Sequence, residues 1–462
     1  MRVGYLIGPE LREILREEPG EVKALLAEFH PEDVADVLAT LGDVEAAAIL
    51  TRMSSEDAAS IFERLEEDAQ EAIASEMPPE SVAHMAAEMA PDDRVDLLRD
   101  ILDEEVGQAV LHHLEEVDPE AAQEVAELDR WPDASAGRLM TTAYVSTGRG
   151  RTVQEVIQTI RGATEAETVN YVYVLTPARR LDGILSIRTL LLAEATTVID
   201  DLLTENVISV QPLTDQEEVA RRMAKYDLTA LPVVDERGLF LGIITVDDVI
   251  DVLTEEQTED MQRQGAVEPL ENTYFATTFW VFVKKRATWL LVLFVGEFFT
   301  GNALRHYDSV LQAVTKLSFY VPLLISTGGN SGGQSSSLVI RGMAVGEIKR
   351  GDWLRVLRRE LAQGLVLGLI LASVGVARVL MWGDGIHFAA VIGITLVGIV
   401  TMGCTVGSML PIGLKRLGFD PATSSAPFIA SLVDVLGIVI YFNVAQILLR
   451  DVIGAAAVSH GH

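Results

Sequence analysis

The chain has a single cysteine, Cys404, in 462 residues. An intramolecular disulfide framework is therefore excluded. Basic residues are scarce where the chain is most polar. Residues 1–270 carry 21 Lys and Arg against 58 Asp and Glu, a net charge of −37. Such acidity argues against nucleic acid as a partner, because its phosphates are met by Lys and Arg. No nucleophile stands beside a general base, and no His/Cys set has ligand spacing, so the sequence does not read as an enzyme. His112 and His113 are adjacent rather than one helical turn apart, which reads as a surface pair. The N-terminal stretch MRVGYLIGPELREILREEPGE has no long apolar core, and no cleaved signal peptide is expected.

Beyond residue 270 the chain changes character. This part holds 15 basic and 10 acidic residues, a net of +5. Five apolar segments occupy it: Ala287–Leu304, Ala313–Ile340, Leu361–Trp382, Phe388–Leu414 and Ser424–Leu449. Each can cross a hydrocarbon core of about 30 Å, the first by extending back through Phe279. Lys284, Lys285, Arg286, Arg341, Lys349, Arg350, Arg355, Arg358, Arg359, Lys415 and Arg416 flank one side of the membrane, and only Arg305, Arg378, Arg450 and Lys316 the other. By the positive-inside bias, the N-terminal half is cytoplasmic and the C-terminus faces out. Asp434 lies deep inside the last segment with no Lys or Arg in that run. A carboxylate there costs about 2.5–3.5 kcal/mol and needs a partner, water or a cation. A second intramembrane acid, Glu297, has three readings: on the path, near a lateral opening, or protonated.

The first 130 residues read as all-helical. A motif recurs at His30-PEDVADVLATL, Ser54-SEDAASIFERL, Pro78-PESVAHMAAEM and Pro91-DDRVDLLRDIL. Pro or Ser followed by acids suits a helix start, and the apolar spacing after it is helical. The expectation is a small superhelical stack with acidic outer faces.

Residues 131–253 contain a repeat. Gly183-ILSIRT matches Gly242-IITVDD at an offset of 59, and Tyr171-VYVLTPARRLDG matches Ala230-LPVVDERGLFLG. Each unit reads strand, helix, strand, strand, helix. These motifs resemble a tandem CBS pair. The resemblance implies an adenine-nucleotide cleft, for ATP, at Tyr171, Arg188, Leu231 and Pro232. Thr189 replaces the acid that grips a ribose in such modules, whereas Asp248 keeps it.

Next comes Asp247-DVIDVLTEEQTEDM, with Asp248, Asp251, Glu255 and Glu259 on one helical face, which is expected to repel itself with no Lys or Arg at i+4 to relieve it. It reads as a connector helix that needs cations to pack. Downstream, Tyr320-VPLLISTGGNSGGQSSSLVIRGMA and Gly418-FDPATSSAPFIASLVDVLG resemble signatures of the MgtE family of magnesium channels. Glycines 328, 329, 332 and 333 can bare carbonyls to a hydrated path, and Pro322 and Pro427 can free more within their helices. Gly364, Gly368 and Gly398 read as helix-packing positions.

The resemblance covers the whole chain. It implies a multidomain membrane protein: an all-α superhelical N-terminal domain (1–130), an α/β tandem CBS pair (131–253), a connecting, plug-like helix (254–275) and a five-helix transmembrane domain (276–462). It implies a homodimer in the lipid bilayer of the inner (plasma) membrane that admits Mg2+ to the cytoplasm. Asp434 matches the pore aspartate, Ala430 a carbonyl facing the path, and Gly329 a pore-lining glycine-rich turn. Asp92, Asp96, Glu217, Asp227, Asp248, Asp251, Glu256, Glu259, Asp260 and Asp420 match sensor carboxylates, and Gly137 and Ala224 match carbonyl-offering positions. Ser60 replaces a sensor glutamate, and Gly333 and Ala426-Pro427 depart from the pore pattern. High cytosolic Mg2+ bound at these acidic faces would close the channel. The alternatives are an ion-coupled divalent-cation carrier or exchanger, and a CBS-regulated anion channel.

Overall fold

The computed structural model describes residues 29–164, 166–270, 273–275, 277–349 and 351–453. The N-terminal stretch considered for a signal peptide lies outside them, as does Arg350 among the flanking cations. The chain divides into two compact units after Glu255.

In the first unit, helices α1 (Pro31–Leu38), α2 (Asp43–Leu50), α3 (Ser55–Phe62), α4 (Glu67–Glu76), α5 (Pro79–Ala87) and α6 (Pro91–Asp96) succeed one another, α6 running into a π turn at Leu97–Ile101. Then come α7 (Glu104–Val117) and α8 (Pro119–Leu128). Each copy of the motif starts a helix. Pro31, Pro79 and Pro91 stand in first turns, where proline's missing donor costs nothing. At α3, Ser54 accepts the Asp57 amide at 3.3 Å instead. The helices close on Leu38, Ile49, Leu50, Phe62, Ile73, Met85 and Leu97, all fully buried. The buried Arg94 donates to the Ala86 and Met89 carbonyls and pairs with Glu124 at 3.0 Å, fixing α6 against α5 and α8.

The repeat folds as β1 (Tyr144–Thr147), α9 (Val153–Gly162), β2 (Thr168–Leu175), β3 (Leu181–Ser186) and α10 (Ile187–Leu192), then α11 (Gln216–Tyr226), β4 (Ala230–Val234), β5 (Phe240–Thr245) and α12 (Val246–Gln264). β1–β2–β3 form one sheet and β4–β5 another. The second module departs from the expected order. Its first strand is reduced to one parallel bridge, Val210 to Val233. Val210 donates to Pro232 O, but Pro232 has no amide with which to continue the ladder. The modules exchange backbone hydrogen bonds. Thr141 and Ile243 bond reciprocally at 2.8 and 3.0 Å, and Ile184 and Thr204 do so at 3.1 Å each way.

Helix α12 begins at Val246 and ends at Gln264, short of the Phe275 expected for the connector. Gly265 comes directly after it, and Ala266 takes a left-handed φ of 58°, which stops the helix.

The second unit holds α13 (Phe279–His306), α14 (Asp308–Ala313), α15 (Val321–Ala344), α16 (Trp353–Trp382), α17 (Ile386–Leu417) and α18 (Ala426–Leu448). Among the described residues, four of these helices, α13, α16, α17 and α18, are long and apolar enough to cross a membrane. α15 fails that measure because its Gly, Ser, Asn and Gln dilute it. It also starts at Val321, not Ala313, because short helices at Asp308–Ala313 and Thr315–Tyr320 precede it. α13 packs on α18 and leaves Leu290, Leu291, Phe294, Val295, Phe298 and Phe299 exposed.

Candidate functional site

A groove of about 870 Å³ opens between α15 and α18. Ser326, Gly329, Asn330, Gly333, Gln334 and Ser337 line it from α15, and Ala426, Pro427, Ala430 and Asp434 from α18. The spacing of Ala426, Ala430 and Asp434 puts them on one stripe of α18, and the polar residues of α15 recur likewise. Asp434, Ala430 and Gly329 thus share one surface. A Cβ built on Gly329 would stand 3.1 Å from Ala430 Cβ and 3.8 Å from Asp434 Oδ1, so glycine keeps this wall thin.

The four glycines expected to bare carbonyls divide by face. Gly329 and Gly333 line the groove, whereas Gly328 and Gly332 pack against α17. A Cβ on Gly403 would meet Gly328 O at 2.7 Å, and one on Gly407 would meet Gly332 O at 2.1 Å. That is helix packing through small residues. Gly364 and Gly368 do the same between α16 and α17. The glycine-rich stretch is continuous helix, not a turn. Pro322 and Pro427 sit in the first turns of α15 and α18, where they free no interior carbonyl; Pro411, by contrast, lies inside α17. Glu297 accepts a hydrogen bond from Ser431 Oγ at 3.1 Å, one turn before Asp434. Glu360, missed because it stands just outside an apolar segment, is buried and accepts from Ser335 Oγ at 2.7 Å.

A second constellation lies within the first unit. Carboxylate oxygens of Asp92, Glu167 and Asp248 lie within 4.8 Å of one another. Asp92 begins α6, Asp248 the first turn of α12, and Glu167 precedes β2. Asp92 is 5 % exposed, and its Oδ1 has no hydrogen-bond partner. Asp248 accepts from Thr245 Oγ1 at 2.6 Å. Burial, then the charge of Asp248, pushes Asp92 well above the usual carboxylate range. Desolvation and the same neighbour push Glu167 up to about 7. Burial and Glu63 push Asp93 up to about 8. Glu167 carries no sequence signal, because tertiary packing alone brings it here, whereas Asp93 simply follows Asp92 in the acidic first turn of α6.

The other sensor candidates disperse. Asp96 is paired with buried Arg138 at 2.7 Å. Glu217 pairs with Arg221 on α11, Ala224 is exposed on the same helix, and Asp227 caps it at φ 52°. Gly137 donates to Pro212 O near the start of α11, and a side chain there would strike Trp131. Burial raises Asp251, as do Asp247 and Glu32. Glu256, Glu259 and Asp260 lie further along α12. The acidic face is not unrelieved: Arg263, at i+4 from Glu259, pairs with both Glu259 and Asp420. Of the residues expected at a nucleotide cleft, Arg188 is exposed and Tyr171 half-buried, but Leu231 and Pro232 are buried. Ser186 and Thr189 share a 2.7 Å hydroxyl contact where the second module has Thr245 and Asp248. His112 is exposed and His113 half-buried, each 3.8–3.9 Å from a glutamate one turn on.

Comparison with known proteins agrees with this architecture. The divalent cation transporter model of MgtE matches residues 321–444, the MgtE intracellular N domain matches 29–134, and a CBS domain matches 199–255. The magnesium transporter MgtE of Thermus thermophilus is 44% identical over 337 residues, 73% of this chain and 75% of that protein. The chain belongs to the MgtE family. It is a multidomain membrane protein of a family of magnesium transporters, not of enzymes. The Enterococcus faecalis magnesium transporter MgtE is 35% identical over 72% of this chain and 73% of its own. Two solved structures are also similar. The soluble part of a magnesium transporter has TM-score 0.52 and 34% identity, covering 55% of this chain and 99% of its own. The cytosolic domain of the Mg2+ channel MgtE in complex with ATP has TM-score 0.50 and 37% identity, covering 53% and 99%.

Proposed function

We propose that this MgtE-family chain is a Mg2+ channel that works as a homodimer and closes when cytosolic Mg2+ is high. The observation that carries the reading is the groove of α15 and α18, with Asp434 on its wall. Mg2+ sheds water reluctantly and travels with part of its hydration shell, which suits amide, hydroxyl and carbonyl groups around one carboxylate. Two copies facing across a two-fold axis would close an open groove into a path and match the ion's charge with two Asp434 carboxylates. Ala430 and Gly329 belong to the same wall.

Regulation rests on acidic side chains and, at Gly137 and Ala224, on backbone carbonyls. Asp92, Asp96, Gly137, Glu217, Ala224, Asp227, Asp248, Asp251, Glu256, Glu259, Asp260 and Asp420 are the proposed regulatory positions. Ions bridging them would stabilise a compact, closed state, and loss of ions would release it by mutual repulsion, a population shift set by differential binding. The scheme takes the domain limits expected from the sequence, with the connecting helix ending at Gln264 instead of Phe275, and a cytoplasmic N-terminal half in the inner membrane. The proposed exit of the C-terminus to the outside falls on residues 454–462, outside those described. ATP in the similar cytosolic domain supports a nucleotide cleft here, with Tyr171 and Arg188 supplying side chains and the buried Leu231 and Pro232 only backbone. The test is Mg2+ uptake by proteoliposomes. Uptake driven by membrane potential with no counter-ion, and suppressed by luminal Mg2+ on the cytoplasmic face, is the expected result; obligatory exchange would identify a carrier.

A further inference from the structure

The family resemblance supplies two acids of the cytosolic constellation, Asp92 and Asp248, and is silent on the third. We propose that Glu167 is a direct ligand of the same divalent cation, so that the ion ties three separate segments together. The inference rests on the reading of Asp92 and Asp248 as Mg2+-sensing residues and extends it to the first CBS module.

Three observations converge. The carboxylate oxygens of Asp92, Glu167 and Asp248 lie within 4.8 Å of one another. Oxygens bound directly to one Mg2+ at about 2.1 Å lie at most about 4.2 Å apart, so a small side-chain movement or one retained water completes the shell. Asp92 forms the buried floor with an unpartnered Oδ1, Asp248 is half-buried, and Glu167 stands exposed at the rim. A buried acceptor without a partner is costly, whereas an exposed rim lets an ion enter.

The hydroxyls supply the third observation. Thr245 Oγ1 donates to Asp248 Oδ2 at 2.6 Å and also lies in hydrogen-bonding contact with Glu167. One hydroxyl has one proton, so it cannot satisfy both carboxylates at once. Thr141 contacts Glu167 as well and helps to fix its position. Among the unit's described residues, the two buried arginines are committed elsewhere, Arg94 to Glu124 and Arg138 to Asp96 and Asp100. The remaining positive charge is best supplied from solution, by a hard cation that prefers an all-oxygen site.

The test uses the full-length chain in detergent, with MgCl2 titrated at constant ionic strength. Two readouts are followed, protease protection of the Leu253–Gln264 segment and the thermal midpoint. E167Q keeps the size and the hydroxyl contacts but removes the charge. It should move the Mg2+ midpoint up about tenfold, as expected for loss of a metal-site group. Without Mg2+ it should raise the thermal midpoint, because one of three crowded charges is gone. E167D should restore part of the Mg2+ response. A purely structural Glu167 gives the opposite signature: an unchanged Mg2+ midpoint with an unchanged or lower thermal midpoint. If D92N and D248N shift the titration and E167Q does not, the third ligand is refuted while the sensing role of the pair stands. If no variant shifts it, or the wild type does not respond, the sensing role itself is refuted.

Discussion

The groove of the second unit and the acidic constellation of the first are both lined by oxygen ligands, but they present carboxylates differently. The groove has one carboxylate, Asp434, on a wall of glycines, amides and hydroxyls, and it is open along its length. The constellation of the first unit has three converging carboxylates with a buried floor. An ion path works when binding is strong enough to admit the ion and weak enough to release it. A sensor works when occupancy changes the free energy of a state, which requires that the ion's absence be unfavourable. One carboxylate per chain suits the first task, and three crowded carboxylates suit the second.

The sharpest way to break this comparison is to neutralise each side separately. D434N should cut Mg2+ uptake by about 10- to 1,000-fold, the range over which a focused field concentrates an ion. It should leave Mg2+-dependent protection of the cytosolic unit unchanged. D248N should do the reverse, keeping uptake while its suppression by Mg2+ moves to higher concentration. Uptake assays and limited proteolysis on both variants decide it. If both variants alter both readouts equally, the two regions do not have separate tasks.

The next largest effect concerns the glycines. Gly407→Val places branched carbon where Gly332 O already stands, so overpacking should destabilise the unit by about 1–3 kcal/mol or prevent assembly. Gly333→Ala meets only Ala426 Cβ, at 3.4 Å, and should fold normally while narrowing the groove. Detergent thermal stability separates the two, and equal loss in both would erase the distinction between packing and lining glycines.

The pH dependence comes from the raised carboxylates. Asp93 titrates at about 8 and Glu167 at about 7 in the folded unit. The unfolded chain releases these protons near about 4. The folded state therefore holds more protons in between, and without Mg2+ its stability should fall as pH rises from 5 to 8.5. Mg2+ replaces the protons, so the stabilisation it confers should grow over the same range. Thermal midpoints with MgCl2 and with EDTA measure both slopes; parallel slopes would mean that ions do not bind at these acids.

The smallest effect is expected at Arg263. Its pairs with Glu259 and Asp420 are about one-third exposed. Arg263→Gln should change thermal stability by about 0–1 kcal/mol in physiological salt. Because it frees two acids for cations, it should also steepen the Mg2+ dependence of that midpoint.

Much of this architecture is legible in the sequence, for identifiable reasons. Proline and acids mark helix starts because the terminal geometry demands them, so α1, α3, α5 and α6 are visible there. The CBS repeat announces itself by an offset that preserves strand and turn chemistry. Asp434 stands out because hydrocarbon penalises charge. The features that stay hidden depend on direction and distance. Glycines one residue apart on α15 have different neighbours, and only the position of α17 assigns Gly328 and Gly332 to packing. Glu167 reaches Asp92 and Asp248 through the fold alone. Arg263 is readable at i+4 from Glu259 but lies just past the acidic run.

The reciprocal bonds between the CBS modules, Thr141 with Ile243 and Ile184 with Thr204, have a mechanical consequence. Each module's second hairpin strand is fastened to the segment that leads into the other module. α12 continues directly from β5, so a pull along it loads Ile243 and, through two backbone hydrogen bonds in shear, the segment that enters β1. The pair transmits tension as one interlaced link rather than as two beads on a string. Cutting the chain between α10 and α11 would strip both modules of a clasp, so neither half should bear load or fold independently of the other.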